Sequence, residues 1–278
     1  MKKSARKTEE IQLQSEQFRF RDRFGGNSRK IFAESAFKLN MNRYYRKNPS
    51  HQGLRSQMVE WTKFICQKLN YSRRTLHYSV AYLDAIFSLC QVKEKEVKLI
   101  VFICIYLAAK LEEKDKNIPY IQVVLEQFNH SFSQQQFENY ERQIFKFLNY
   151  NLTFKTSLIF LNLFLEEGIV KEDEFRQLGV HSPKGFVETV EAMAFEVLDV
   201  SLEFYEFYSF TALAVASSVV ACVRKLIGLP AWPEWIQNQT GYTWESLQQC
   251  ASFLLSVYVD GENQLEDFLK QVKSLKEC

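Results

Sequence analysis

The sequence is constrained most by an apolar run of eleven residues, LIVFICIYLAA, which extends from Leu99 to Ala109. The run is too short to span a bilayer, because a membrane-spanning helix needs about 20 apolar residues. A helix that is hydrophobic on all sides must be covered by its neighbours, so we expect it at the centre of a helical bundle. The run ends in Lys110, which either extends its ammonium to solvent or is held half-buried for a partner.

An apolar period of 3.6 residues recurs on both sides of this run and predicts two series of helices. The first series lies at about 54–69, 73–89, 94–113, 118–128 and 133–148. The second lies at about 156–168, 183–200, 206–227, 233–238 and 244–259, with a further helix at 263–275. In each series the third helix is the most apolar. The sequence therefore predicts an all-α fold of two tandem five-helix bundles, each around a buried third helix, with flanking N- and C-terminal helices.

The N-terminal segment differs from the rest of the chain. Residues 1–30 are rich in Lys, Arg, Gln and Glu, and such low apolar content predicts a flexible, mobile tail. Its FRFRDRF stretch is more typical of a frayed amphipathic segment than of an anchor for a partner. A short helix is predicted to follow and to end near Pro49, because proline disfavours helical geometry at the residue before it. We expect one bundle with its leading helix over 31–153 and the second, with the C-terminal helix, over 154–278.

Composition excludes several classes of protein. The chain has 35 Lys and Arg against 33 Asp and Glu, so its charge balance does not call for a polyanionic partner. Its six cysteines form no CxxC pair, and we interpret those in apolar helical patterns as small core residues in a reducing compartment. The charged N-terminus lacks the apolar core of a secretory signal. We expect an intracellular protein of the nucleus, the cytoplasm or both, with no membrane partner.

Four ionisable residues interrupt apolar helix faces: Arg55, Asp84, Lys110 and Glu141. An unpaired buried charge costs several kcal/mol, so such a group finds a partner or becomes neutral. Two pairs would satisfy all four, with Arg55–Asp84 joining the first and second helices and Lys110–Glu141 joining the third and fifth. Alternatively, each residue lies at a helix edge with a buried stem and a solvated charge. Periodicity does not choose between these two interpretations.

Several segments resemble the cyclin box. RSQMVEWTKFICQKL followed by TLHYSVAYLDAIFS is similar to the first two helices of that box, LAAKLEE to the end of its third, and FENYERQIFKFLNYNL to its fifth. GYTWESLQQC and RYYRKNP resemble A/B-type mitotic members, although no destruction box or KEN tripeptide is recognisable. The five positions that most define the box fall on Arg55, Asp84, Leu99, Lys110 and Glu141.

The resemblance implies a regulatory subunit that binds a cyclin-dependent protein kinase. Such subunits push the kinase's mobile αC helix into its active position, where its glutamate pairs with the ATP-binding lysine. In the family, the residues matching Lys110 and Glu141 hydrogen-bond around that helix. The same alignment implies apolar kinase contacts at Leu107, Leu111, Phe145, Tyr150 and Leu152. It also implies that Arg55–Asp84 is a structural pair and that Leu99 belongs to the core.

Cyclins also have a shallow groove on the first helix that docks RxL-type substrate peptides. Its apolar floor matches Leu54, Met58 and Trp61, with Val97 nearby. The chain departs from the pattern at two positions. Gln57 replaces an apolar residue, and Phe64 replaces the acid that receives the arginine. The alternative for Met58 and Trp61 is that both are simply core residues.

The sequence supports other functions less well. No GxSxG, HExxH or P-loop motif occurs, and the four histidines lack ligand-like spacing, so no catalytic residue, metal or cofactor is predicted. Transcription initiation factors with a twin-bundle plan need a basic second repeat to bind DNA, whereas the second half here is not basic; no nucleic acid is expected. A scaffold or transcription-related adaptor without kinase activation remains the alternative, against which the presence of both Lys110 and Glu141 argues.

Overall fold

A computed structural model of the chain describes residues 49–90, 92–127, 132–180, 182–260, 270 and 272–274. The predicted mobile tail, the helix predicted before Pro49 and most of the helix predicted at 263–275 lie outside these residues. The described part is helical, with no strand. Its α-helices are α1 Pro49–Lys68, α2 Arg73–Leu89, α3 Glu94–Glu112, α4 Ile121–Gln127, α5 Gln134–Phe147, α6 Ser157–Glu167, α7 Glu172–Gln177, α8 Pro183–Ser201, α9 Ala212–Leu226, α10 Glu234–Thr240 and α11 Trp244–Asp260. Short 3₁₀ helices lie at Asp115–Asn117 and Tyr205–Ser209.

The first bundle is built around α3, in which every residue from Leu99 to Ala109 is buried. Helices α1, α2 and α5 pack around it. Local signals in the sequence set two of the helix starts. The Ser72 hydroxyl accepts from the Thr75 N–H at the start of α2, and Ser133 forms a capping box with Gln136 at the start of α5. Serine is a preferred residue at the position before a helix, because its hydroxyl accepts from an N–H of the first turn.

The second bundle repeats this plan around α9, in which every residue from Leu213 to Arg224 is buried. Helices α6, α8 and α11 pack around it. The all-α prediction of two tandem bundles, each with its third main helix in the middle, is therefore confirmed. Within the described residues, no helix is long and apolar enough to cross a membrane.

Some predicted boundaries were wrong. The helix predicted at 206–227 is divided, because Tyr205–Ser209 forms a 3₁₀ turn and the Thr211 hydroxyl then caps α9 at the Ala214 N–H. Helix α1 begins at Pro49 rather than near residue 54, which suits a proline at the first helical position. The short helix α7 was not predicted.

Among the described residues, four polar side-chain pairs join the two bundles. Asp199 at the end of α8 accepts from Arg73 Nε at 2.8 Å and bonds to His77 Nε2 at 2.9 Å, both on α2. The Tyr208 hydroxyl donates to Asp84, and Lys63 lies 2.5 Å from Glu203. The bundles therefore meet through a specific interface as well as through the connecting segment.

Candidate partner-binding site

The structure brings Lys110 and Glu141 together. Lys110 lies near the end of α3 and Glu141 in the middle of α5, and the Lys110 Nζ donates to Glu141 Oε1 at 2.6 Å. The lysine side chain is 43% exposed and the glutamate side chain 17% exposed. The ammonium also lies 4.4 Å from the centre of the Tyr106 ring. Lys110 thus both reaches the surface and forms a pair, so the two interpretations of its position are compatible.

The end of α3 that carries Lys110 is fixed to the start of α2. Glu113 Oε1 accepts hydrogen bonds from the Ser72 N–H at 2.6 Å and from the Thr75 hydroxyl at 2.5 Å. The neighbouring Glu112 lies 3.5 Å from Arg74. The sequence analysis missed this anchor, although both of its parts are visible in the sequence. They are the two glutamates that end LAAKLEE and the Ser-x-x-Thr cap at the start of α2. The anchor holds the Lys110 backbone in place without using the lysine itself.

Apolar side chains adjoin the ion pair on the same helix faces. Phe145 lies one turn after Glu141 on α5, and its ring packs edge-on against Tyr150 with 5.2 Å between centroids. Tyr150 is 65% exposed and has a positive φ of 58°. Leu111 and Leu152 are half-buried, whereas Leu107 is buried in the core. The set therefore combines an exposed aromatic ring, half-buried apolar residues and one core residue.

Arg55 and Asp84 form a buried bidentate pair between α1 and α2. Arg55 Nε and Nη2 donate to the two Asp84 carboxylate oxygens at 2.9 and 3.1 Å, and both side chains are almost completely buried. Tyr208 of the second bundle adds its hydroxyl to Asp84 and its ring face to the Arg55 guanidinium at 5.3 Å. The contact of Tyr208 with this ion pair was not predicted from the sequence.

The four positions of the expected docking groove divide into two classes. Met58 and Val97 are buried, while Leu54 and Trp61 are half-buried. The ammonium of Lys98 lies 5.0 Å from the Trp61 ring centre, and Phe64 is 61% exposed. This surface is therefore apolar with a cation at its edge.

Within the described residues, most of the cysteines are buried and the metal-ligating side chains are not clustered. No group of three His, Cys, Asp or Glu side chains within them is placed to hold a metal ion. Burial raises the pKa of Cys66 and of Cys222 to about 12 and that of Cys250 to about 11. Such thiols stay protonated at neutral pH and are poor nucleophiles.

Sequence reasoning also missed a buried ion pair in the second bundle. Arg224 donates to both carboxylate oxygens of Glu174 at 2.6 and 3.0 Å, and to the carbonyl oxygens of Ile169 and Pro230 at 2.6 and 2.9 Å. Burial raises the pKa of Glu174, but hydrogen bonds from Arg224 and from the Lys171 N–H outweigh it and hold that pKa below its ordinary value. The arrangement is that of a structural clamp.

Two family matches cover most of the chain. Residues 30–153 match the family described as cyclin, N-terminal domain, and residues 156–277 match cyclin, C-terminal domain.

Three curated relatives illustrate the similarity. Cyclin-B1-3 of Oryza sativa subsp. japonica is 26% identical over 209 residues, covering 75% of this chain and 41% of the relative. Cyclin-J of Homo sapiens is 23% identical over 239 residues, covering 81% and 60%. Cyclin-B1-1 of Arabidopsis thaliana is 25% identical over 205 residues, covering 73% and 44%. The chain thus spans between 41% and 60% of the length of these relatives.

A solved structure shares the fold. The X-ray structure of a viral cyclin from herpesvirus saimiri matches with a TM-score of 0.59 and 12% sequence identity, over 73% of this chain and 83% of the viral one.

Proposed function

Because this chain belongs to the cyclin family, with B-type members among its relatives, we propose that it binds and activates a cyclin-dependent serine/threonine protein kinase and so controls cell-cycle progression. The observation that carries the proposal is the Lys110–Glu141 pair, which is preformed at 2.6 Å on a face where α3 and α5 meet. The protein acts as a regulatory subunit without a catalytic residue of its own.

The pair suits recognition of a helix. An ammonium supplies three donors and a carboxylate several acceptor sites, and their mutual contact uses only one Lys110 donor and one Glu141 oxygen. The remaining positions serve the backbone and side chains of the kinase αC helix. A partner without matching groups would leave both charges desolvated and unpaired, which penalises the wrong complex.

Apolar residues around the pair supply the buried contact area. Tyr150 and Phe145 form an aromatic surface that a partner helix covers, with Leu111 and Leu152 beside it. Tyrosines of this kind often dominate binding energy, because they combine a large apolar area with few rotatable bonds. Leu107 supports the surface from the core. Positioning the αC helix brings its glutamate to the ATP-binding lysine, which is the activating step.

For substrate docking, we propose a surface formed by the exposed parts of Leu54, Trp61 and Phe64. The ammonium of Lys98 over the Trp61 ring and the apolar Phe64 disfavour the arginine of an RxL motif. We therefore propose that any docking motif for this surface is apolar rather than basic. Met58 and Val97 contribute the floor from the core.

We also propose the division into a bundle with its leading helix over 31–153 and a second bundle over 154–278, which the two family matches support. Action on a cyclin-dependent kinase places the protein in the nucleus, the cytoplasm or both.

The test is co-purification with candidate cyclin-dependent kinases, followed by a phosphorylation assay. The double variant Lys110→Ala/Glu141→Ala should lose at least tenfold in kinase association and activation, since the central polar contacts of an interface typically contribute about 2 kcal/mol or more. The matched control is Glu94→Ala/Lys95→Ala, which removes the same two residue types from exposed positions roughly 20 Å away along α3.

Three outcomes are informative. Loss in the double variant with an unchanged control supports the interface. Full association and activation by the double variant would mean that the assigned interface is wrong. Association of the wild-type protein without activation would favour the scaffold function.

A further inference from the structure

The tripeptide Leu-Asn-Tyr ends two helices of the first bundle. It lies at Leu69–Tyr71 after α1 and at Leu148–Tyr150 after α5. In each copy the tyrosine N–H donates to the carbonyl oxygen five residues earlier, at 2.8 Å after α1 and at 3.0 Å after α5. The asparagine of each copy has a φ of 52°, in the left-handed region that asparagine adopts more readily than most residues with a side chain. The two turns therefore begin alike.

The two turns differ at the tyrosine. Tyr71 lies outside the left-handed region, is half-buried and donates its hydroxyl to the Asn117 carbonyl oxygen at 3.3 Å. Tyr150 has a φ of 58° and is 65% exposed, and within the described residues its hydroxyl forms no hydrogen bond. The same tripeptide thus ends with its ring against the protein in one turn and facing solvent in the other, where a second residue is left-handed.

Neighbouring groups hold Tyr150 in this conformation from both sides. A left-handed backbone is uncommon for a bulky residue and persists only where its surroundings over-determine it. Before the turn, the Phe145 carbonyl oxygen accepts from the Tyr150 N–H, and the two rings pack edge-on with their centroids 5.2 Å apart. After the turn, the hydroxyl of the buried Tyr82 donates to the Leu152 carbonyl oxygen at 2.6 Å. These contacts keep an exposed ring in a strained position.

Asn149 contributes to this turn through its backbone. Its side chain is exposed and forms no hydrogen bond within the part of the chain that the structure describes. The property that suits asparagine to this position is its tolerance of a positive φ. Strained backbone is concentrated at sites of ligand binding, and the exposed Tyr150 ring is the group that this turn presents.

From this comparison we propose that Asn149 positions Tyr150 for the partner kinase through its left-handed backbone, without touching the kinase itself. The inference rests on the proposed kinase function and adds a residue that sets the strength of that contact. A ring that is already in its bound position loses less conformational freedom on binding. A turn that adopted its bound form only part of the time would lower the apparent affinity in proportion.

Two substitutions at Asn149 separate the backbone from the side chain. Asn149→Val and Asn149→Gly both remove the amide, but glycine adopts a positive φ freely, whereas a β-branched residue there is an outlier. The dissociation constant is measured by calorimetric titration of the full chain with a kinase that the wild-type protein binds. We expect Asn149→Val to bind about tenfold more weakly and Asn149→Gly to stay within about twofold of the wild-type protein. Asn149→Ala, expected to bind about threefold more weakly, is used if the valine variant does not fold.

A double-mutant cycle tests whether Asn149 acts through Tyr150. In a Tyr150→Ala background, Asn149→Val should change the affinity no further, because the ring that it positions is absent. The matched control is Gly241→Val in the second bundle, which places valine at a φ of 74° where, apart from its chain neighbours, no described residue lies within 4 Å of the new Cβ. The control should lower the melting temperature and leave the kinase affinity unchanged.

Several results would overturn the proposal. They are equal affinities of Asn149→Val and the wild-type protein, equal losses in the valine and glycine variants, a further loss in the Tyr150→Ala background, or an equal loss in Gly241→Val. If Lys110→Ala/Glu141→Ala still loses association in that case, the kinase interface stands and only the role of Asn149 is wrong. A wild-type protein that binds no candidate kinase would overturn both the interface and the role of Asn149.

Discussion

Lys110 of α3 and Arg224 of α9 each lie two residues before the end of the central helix of their bundle. Their surroundings are opposite. The Lys110 side chain is 43% exposed and donates one hydrogen bond to a carboxylate. The Arg224 side chain is 0% exposed and donates to Glu174, Ile169 and Pro230. Equivalent positions in the two central helices therefore carry an exposed charge in the first bundle and a buried charge in the second.

The difference follows from the chemistry of the two side chains. The planar guanidinium of arginine presents five donors in a fixed fork and suits a buried site in which every acceptor is supplied by the protein. Lysine has a flexible stem and a strongly hydrated ammonium, so it keeps donors available at the surface. Arg224 stabilises the second bundle by holding α7 and the turn after α9. The Lys110 ammonium instead keeps donors at the surface of the first bundle, where we propose that a kinase contacts them.

The largest effect is expected for Arg224→Ala. The substitution leaves the Glu174 carboxylate and two carbonyl oxygens without their buried donor, and breaking a buried pair in this way costs about 3–5 kcal/mol. Since four hydrogen bonds are lost, the free energy of unfolding should fall by an amount near the top of that range in chemical denaturation. A loss of less than about 1 kcal/mol would show that the clamp is solvated in solution.

Asp84→Ala tests the buried pair of the first bundle. It removes both acceptors of the Arg55 fork and the acceptor of the Tyr208 hydroxyl. We expect a loss of about 3–4 kcal/mol in the free energy of unfolding, measured by urea denaturation. Tyr208→Phe, which keeps the ring over Arg55, should cost clearly less. Equal losses for the two variants would instead assign most of the energy to the contact between the bundles.

At acidic pH, the free energy of unfolding of Glu174→Gln should approach that of the wild-type protein. A lowered folded-state pKa means that the stabilisation is fully present above the unfolded value of about 4.3 and is lost as pH falls through the folded value. Glu174→Gln should therefore cost about 2 kcal/mol at pH 7 and progressively less below about pH 4. Denaturation curves across that range measure this, with the exposed Glu172→Gln as control. A cost that stays constant with pH would contradict the lowered pKa of Glu174.

The smallest effect on stability is expected for Lys110→Ala, because exposed ion pairs contribute about 0–1 kcal/mol. Thermal or chemical denaturation should find the variant within about 1 kcal/mol of the wild-type protein, in contrast to Arg224→Ala. A loss comparable with that of Arg224→Ala would mean that Lys110 is structural, and the contrast between the two bundles would not hold.

The bundles themselves could be predicted because their central helices are apolar on every side. One continuous helix was wrongly predicted over 206–227, and this error has a physical cause. The 3₁₀ turn before α9 also directs an aromatic residue, Phe207, into the core, so the apolar pattern continues across the break. Only the hydrogen bond from the Ala214 N–H to Thr211 reveals where the α-helix begins.

The two predicted charge pairs were visible because each charge interrupts an apolar row. Arg224 gave no such signal, since a basic residue in the last turn of a helix is ordinary. Glu174 likewise has the appearance of a usual acidic residue in a first helical turn. Their burial depends on the segments around Ile169 and Pro230, which fold over them. Sequence periodicity carries no information on such contacts between loops.

The sharing of Asp84 by Arg55 and Tyr208 has a consequence for the order of events during synthesis. Tyr208 follows Asp84 by 124 residues, an interval of roughly 6–25 s at typical rates of translation. Arg73 and His77 precede their acceptor Asp199 by 126 and 122 residues. Arg55, Arg73, His77 and Asp84 are therefore all synthesised before any of their partners in the second bundle exists. The Arg55–Asp84 pair can form within the first bundle during that interval, while the other side of the interface is still being made.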